Sequence, residues 1–385
     1  MKVIHSMMPR DAGVPEALGQ CIALDPQLVL VFGALERFSD PAFHGRLRAL
    51  FPAATLVGCS TAGEICGDGV EDGSVQLTAI RFRRAAPAYA QTLLQGPDDS
   101  FAAGARLGAQ LRPCRPGNAL VFGPGVGING SALIDGIGAE AGRQMRLSGG
   151  LAGGGGGFER TMVLGNDAVS EQLVVAVGFD DALDVTYGCF GGWRPFGPRR
   201  RVTRASGSVL YALDGAPALE VYRRYLGEYA KDLPAAGLLF PFEMSSGDGT
   251  GGGLIRTILG IDEEQGALLL AGDIDPDGSL QLMQASTDAL VDGAYEAARQ
   301  AGRPADDGAD ALVLLVSCVG RKLVMGARVD EEIDAVREIF GGRAVLSGFY
   351  SHGEISPYVG APECALHNQT MAVTCLQEPH ALEDA

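Results

Sequence analysis

The sequence predicts a mixed α/β fold in which β-α-β units repeat, their strands joining into mixed sheets with helices packed on them. Three observations carry this expectation. One run order (apolar strand, amphipathic helix, strand ending in a glycine-rich turn, further strand) occurs three times along the chain. Small residues stand at one corner of every repeat: Gly58-Cys59-Ser60, Ser148-Gly149-Gly150 and Ser347-Gly348. Glycine supplies 56 of 385 residues, about twice the ~7% average. These glycines show no three-residue period and gather at the ends of apolar runs, where tight turns and close backbone approaches need them.

The first unit runs from Leu28 to Phe82. LVLVFG is its opening strand, and Ser39-Asp40-Pro41 opens a helix with Phe43, Leu47 and Leu50 on one face. TLVGCSTAGEI and SVQLTAIRF follow as strands. The second unit runs from Ala119 to Phe179, with ALVFGPG, a helix carrying Ile134, Ile137 and Ala141, then RLSGGLAGGGGG, TMVLGN and EQLVVAVGF. Near Trp193 to Arg201, WRPFGPRRR breaks the pattern with prolines and charge, so a boundary is expected there, dividing the chain into 1–195 and 196–385. Beyond it, RVTRASGSVLYALDG reads as strands round a Ser-Gly turn. Ala216 to Tyr229 reads as a helix with Leu219, Tyr222 and Leu226 inward. Ser245 to Gly253 reads as a loop, and Ile255 to Ala285 as strands joined by Asp, Gly and Pro turns. The third unit, Ala311 to Leu376, has ALVLLVSCVG and a helix capped by Asp330 with Ile333, Val336 and Phe340 buried. LSGFYSHGEISP and HNQTMAVTCL close it. Short units of this kind favour a mixed sheet.

Apolar residues at 46% and charged residues at 20% exclude wholesale disorder. The net charge is −17, lysine is confined to Lys2, Lys231 and Lys322, and the densest basic run is Arg199-Arg200-Arg201 with Arg204. Phosphate backbones and anionic bilayers both require clustered positive charge, so neither a nucleic acid nor a membrane surface is expected as partner. The longest strongly apolar run, Ala311 to Val319, is far short of the ~20 residues of a membrane span. Met1 to Val14 has no signal-peptide core, and eight cysteines are scattered without a CxxC pair. The expectation is a soluble, reduced, cytoplasmic protein.

Several motifs can be weighed against plain structural roles. Gly123 to Gly130 contains GxGxxG between a strand and a helix, the place of a dinucleotide fingerprint. The acid expected about 20 residues on is replaced by Leu147-Ser148-Gly149-Gly150, and a strand-to-helix turn is the stronger reading. Cys364-Ala365-Leu366-His367 has no second metal-binding pair. Cys59 lies in a glycine corner with no local base, so packing outweighs nucleophilic catalysis and no enzyme is expected. More informative are Gly63-Glu64-Ile65 and Gly353-Glu354-Ile355, at matching places in the first and third units. Either each carboxylate accepts backbone amides of its turn, or the two corners face each other. In that second case Ser60, Thr61, Glu64, Tyr350, Ser351, His352 and Glu354 line one ligand cavity beyond the carboxyl ends of the strands.

The same residues carry a family resemblance. VGCSTAGEI (57–65), SGGLAGGGGGFERTMVLGN (148–166), VLYALDGAPALEVYRRYLG (209–227), the 348–357 stretch and LHNQTM (366–371) together resemble FIST proteins, with N-terminal and C-terminal FIST regions in order. The resemblance implies an intracellular sensory module that binds a small-molecule ligand. It also implies a signalling partner, a histidine kinase or a cyclic-di-nucleotide enzyme, here a separate protein. The uninterrupted Gly153 to Gly157 departs from the polar or acidic residue common at that place. Some similar stand-alone proteins are haem-containing nitric oxide sensors, and in that case His352, then His367, is the expected axial ligand.

Overall fold

A computed structural model describes residues 1–8, 16–67, 69–154, 160–233, 235–245, 253–305, 310–357 and 363–379. The glycine run beyond Gly154, the loop 246–252 and His380 lie outside the described residues.

The fold is mixed α/β, as the repeats predict, and the repeats become three six-stranded sheets of one design. The first sheet runs, in spatial order, Lys2–Met8, Val75–Arg81, Leu28–Ala34, Thr55–Thr61, Val163–Leu164 and Val169–Ser170. The second runs Ala88–Leu93, Leu173–Phe179, Asn118–Gly123, Arg146–Leu151, Gly353–Pro357 and Cys364–His367. The third runs Asp184–Phe190, Met371–Gln377, Ala311–Cys318, Ala344–Ser351, Glu64–Cys66 and Gly69–Glu71. Each has two antiparallel strands, a central parallel pair, and then a two-stranded antiparallel addition. That addition always comes from a different unit. The first unit's corner runs into the third sheet, the third's into the second, and the second's into the first. The units thereby exchange hairpins in a closed cycle.

One glycine position explains how the parallel pairs close up. Gly58, Gly149 and Gly348 stand opposite Val31, Val121 and Leu315. A Cβ at any of the three would overlap the carbonyl oxygen of that partner. Inside the three sheets lies one core, with Leu28, Leu30, Leu120, Leu312 and Leu314 around Phe32, Phe122 and Phe349. Phe32 stacks on Phe349 at 4.6 Å between centroids and meets Phe122 edge-on at 5.5 Å. Helices cover the outer faces: Phe43–Leu50 on the first sheet, Ser100–Leu111 and Gly130–Ala141 on the second, Thr287–Ala301 and Asp330–Phe340 on the third.

Between Arg194 and Gln284 the chain builds a separate nine-stranded sheet with its own core around Leu210, Tyr222, Leu268 and Leu280. Its helix is Ala218–Leu226, with Leu219, Tyr222 and Leu226 buried. It is shorter than the predicted 216–229 because Pro217 starts it and Gly227, at φ 56°, turns the chain into a 3₁₀ segment, Gly227–Asp232. The insert is tied to the sheets by Arg256 donating to Leu366 O (3.1 Å), Gln369 to Leu238 O (2.8 Å) and Asn129 to Asp273 (3.0 Å). Asp330 is the first helical residue rather than a cap. Its Oδ1 accepts the Val70 amide at 2.8 Å, so it pins the exchanged hairpin to that helix. No helix among the described residues is long and apolar enough to cross a membrane.

Candidate functional site

Glu64 opens the Glu64–Cys66 strand, and its side chain is buried. The Thr61 hydroxyl donates to Oε1, while the Ser74 amide (3.0 Å) and hydroxyl (2.8 Å) donate to Oε2. Glu354 repeats the arrangement. Ser351 donates to its Oε1 at 2.7 Å, and the Thr370 amide (3.1 Å) and hydroxyl (2.9 Å) donate to Oε2. Each carboxyl therefore has a hydroxyl three residues before it and an amide–hydroxyl pair from the next turn. Burial pushes both above the ordinary carboxylate range against these donors, Glu354 to about 7. Asp72 raises Glu64 further, whereas the Arg321 charge lowers Glu354.

The two corners meet through their backbones: Ala62 N–H donates to Tyr350 O and Tyr350 N–H to Gly63 O, both at 2.9 Å. Ser60 joins them to the second unit, donating to Gly153 O at 2.6 Å and accepting the Met162 amide at 2.9 Å. Around this junction lies a cavity of about 1240 Å³, above the ~300–1,000 Å³ of ordinary ligand pockets. Its floor is Thr61, Ala62, Gly63, Glu64, Asp72, Gly73 and Gly154. One side is Ala34 to Arg37, just beyond the Leu28–Ala34 strand. The opposite side is Val319, Lys322, Leu323 and Gly326, just beyond Ala311–Cys318. The remaining wall is the insert's Tyr229, Asp232, Ala236, Leu238 and Leu239. The site lies beyond the carboxyl ends of parallel strands, where open α/β sheets place ligands.

Of the residues singled out in the sequence, Thr61 and Glu64 line this cavity, and Ser60 is buried behind the floor. Tyr350 is fully buried one layer down. Its hydroxyl donates to Glu332, and Lys322 stands 5.4 Å above its ring. Glu332 also accepts Ser317 at 3.0 Å and makes a fully buried ion pair with Arg321 at 2.8 Å. Ser351 and Glu354 bind each other, and His352 packs against Gly125, away from the lining. His367 is buried in its strand with Nε2 at 3.1 Å from Ser356 O. Burial pushes both imidazoles down to about 4, against backbone contacts with Gly125 and Ser356 respectively.

A bound haem needs an axial donor facing an apolar pocket. Among the described residues the lining contains no histidine, cysteine or methionine, and neither His352 nor His367 reaches it. The two histidines the sequence offered are not placed to hold that group in this cavity. Cys59 is buried and its thiol is pushed well above its ordinary value by burial, the opposite of an activated thiol. The Gly125–Gly130 turn leads into a helix capped by Asn129, which accepts the Ala132 amide at 3.1 Å. The Asn129 amide donates to the Asp273 carboxylate, so the turn faces a negative charge instead of a phosphate.

Sequence reasoning missed Leu35, Arg37, Asp72, Lys322 and the insert's wall. A signal existed for Lys322, one of the chain's few lysines, directly behind the third apolar strand. None existed for Tyr229, Asp232, Ala236, Leu238 and Leu239, which reach the site only through the insert's docking.

Comparison with known proteins finds two family regions in succession along the chain. The FIST N domain matches residues 27–216 and the FIST C domain residues 218–357. Uncharacterised proteins from two strains of Mycobacterium tuberculosis are 31% identical over 188 residues, 47% of this chain and 48% of theirs. An uncharacterised protein of Methanocaldococcus jannaschii is 25% identical over 219 residues, 53% of this chain and 41% of its own. The chain thus spans about half the length of the curated relatives it matches. A crystal structure of cyanuric acid hydrolase from A. caulinodans aligns over 97% of this chain and 99% of that one, at 11% identity and a TM-score of 0.35. With both regions matched in order across 27–357, the chain belongs to the FIST family, whose domains are sensory modules of signal transduction.

Proposed function

We propose that the chain senses a small molecule that occupies the cavity between the three-sheet body and the insert, and passes its occupancy to a signalling enzyme. The observation that carries this reading is the cavity's composite wall. Ala34 to Gly154 belong to the FIST N region, and Tyr229 to Gly326 to the FIST C region. A ligand there touches both, so its binding energy bears on how the insert sits against the sheets. A ligand shifts an equilibrium only by its differential affinity for the two states. A histidine kinase or cyclic-di-nucleotide enzyme is the class of partner the resemblance adds.

The test is a metabolite screen by thermal unfolding of the wild type beside Leu239→Trp, which fills the cavity from a half-buried position. A ligand of the native state stabilises by about 2.7 kcal/mol at a hundredfold excess over its Kd. We expect compounds that raise the wild-type Tm and leave the variant's Tm unchanged. Compounds stabilising both proteins equally would place binding elsewhere and sink the reading. Haem has its own test. A Soret band lost in His352→Ala or His367→Ala would restore the gas-sensor alternative.

A further inference from the structure

Glu64 and Glu354 have equivalent donors, yet their surroundings differ in charge. Glu354 is fully buried within the field of Arg321. Glu64 lies in the cavity lining with its side chain almost wholly buried, and the charged group acting on it is Asp72, of its own sign. A carboxylate offers roughly four acceptor directions. Ser74 takes both at Oε2 of Glu64 and Thr61 takes one at Oε1, which leaves Oε1 one more. The nearby ammonium does not fill it, because Lys322 is held by the Ala62 carbonyl at 2.9 Å and by Asp72. Among the described residues no cation is bonded to Glu64. Carboxylates also outnumber cations on the lining, with Glu36, Glu64, Asp72 and Asp232 against Arg37 and Lys322.

A buried carboxyl without a cation is costly, and a charge-assisted hydrogen bond offsets that cost. Beside it Leu35, Leu239 and Leu323 present apolar surface. We infer that Glu64 is the counter-ion for a cationic nitrogen of the ligand, so the ligand class is an ammonium or amidinium carried on an apolar body. The inference rests on the ligand-binding reading above and names the chemistry of that site.

The test titrates the full chain with n-hexylammonium, n-hexanol and n-hexanoate, using calorimetry, for the wild type, Glu64→Gln and Leu239→Trp. Expected is binding of the ammonium at least tenfold tighter than the alcohol in the wild type. In Glu64→Gln the ammonium should fall to the alcohol's level, and Leu239→Trp should lose both. The comparison within the wild type needs no variant, so it holds even if Glu64→Gln fails to fold. Hexanoate binding tighter than hexylammonium, equal binding of ammonium and alcohol, or full ammonium affinity in a folded Glu64→Gln would each overturn the assignment. If hexanol or hexanoate binds at least as tightly as hexylammonium and Leu239→Trp abolishes it, the cavity reading stands while the cationic class falls. If no probe binds, both fall.

Discussion

At the scale of residues, the buried polar groups set how stability responds to mutation and to pH. Arg321 and Glu332 are fully buried and satisfy each other, with Arg321 also donating to Gly191 O and Leu290 O. Removing one partner strands a charge, so Arg321→Met should cost about 3–5 kcal/mol, and a double replacement with Glu332→Leu considerably less. Urea unfolding of both single variants and the double checks this, and a double loss equal to the sum of the two single losses would show that the pair is not coupled. The titrations act in opposite directions. The Glu354 carboxyl is raised from 4.5 to about 7 by burial, so the folded state holds its proton longer than the unfolded chain. Its stabilisation is complete below 4.5 and is lost as pH rises towards 7. His352 and His367 are lowered from 6.5 to about 4, so their contribution is complete above 6.5 and is lost as pH falls towards 4. Glu354→Gln should therefore lack the falling limb. The gap between variant and wild type should change by a few kcal/mol between pH 4.5 and 7, because each tenfold difference in proton affinity is worth about 1.36 kcal/mol. A gap that stays flat across Tm measurements in that window would show that Glu354 titrates normally.

At the scale of elements, the close approach at Gly348 decides whether the third parallel pair can form. Gly348→Ala drives a Cβ into the Leu315 carbonyl, on backbone that cannot move without opening the strand pair. We expect a loss of about 3 kcal/mol or more by denaturant unfolding. Gly342→Ala, where an added Cβ meets nothing within 4 Å, should stay within about 0.5 kcal/mol. Equal effects would remove the close-packing explanation. This position also shows what was legible in the sequence. A small residue at one corner of each repeat is visible, because an apolar strand ending in Gly, Ser or Cys is a local pattern. The matched Glu64 and Glu354 are visible for the same reason, and the structure gives them the same set of donors. What the corner strands pair with is not local. Glu64–Cys66 bonds to Ala344–Ser351 across some 280 residues of chain, and no periodicity encodes that choice. The cavity's outer wall was hidden likewise, because Leu238 is placed by the Gln369 side chain of a distant turn.

At the scale of the whole molecule, the cyclic exchange makes one cooperative body from what the sequence reads as two halves. The third sheet takes Glu64–Cys66 and Gly69–Glu71 from the N-terminal half, and the second takes Gly353–Pro357 and Cys364–His367 from the C-terminal half. The edge strand Asp184–Phe190 likewise belongs to the first half and pairs with Met371–Gln377. A chain of residues 1–195 alone would keep the first sheet but leave the second short of two strands and the third without its centre. The core around Phe32 and Phe122 would also lose Phe349, Leu312 and Leu314, opening its apolar faces to water. Truncating one buried Leu or Phe costs about 2–5 kcal/mol, against a total stability of about 5–15 kcal/mol. Losing several at once exceeds what the remaining contacts can offset. We therefore expect 1–195 and 196–385 produced separately to lack cooperative thermal unfolding and to expose apolar surface. The two mixed while unfolded and refolded together should recover a single sharp transition, because the exchanged hairpins then supply the missing edges. Cooperative melting of 1–195 by itself would mean that the first two sheets close without the third. In that case a ligand bridging the cavity would act on a joint between independent domains instead of on one continuous core.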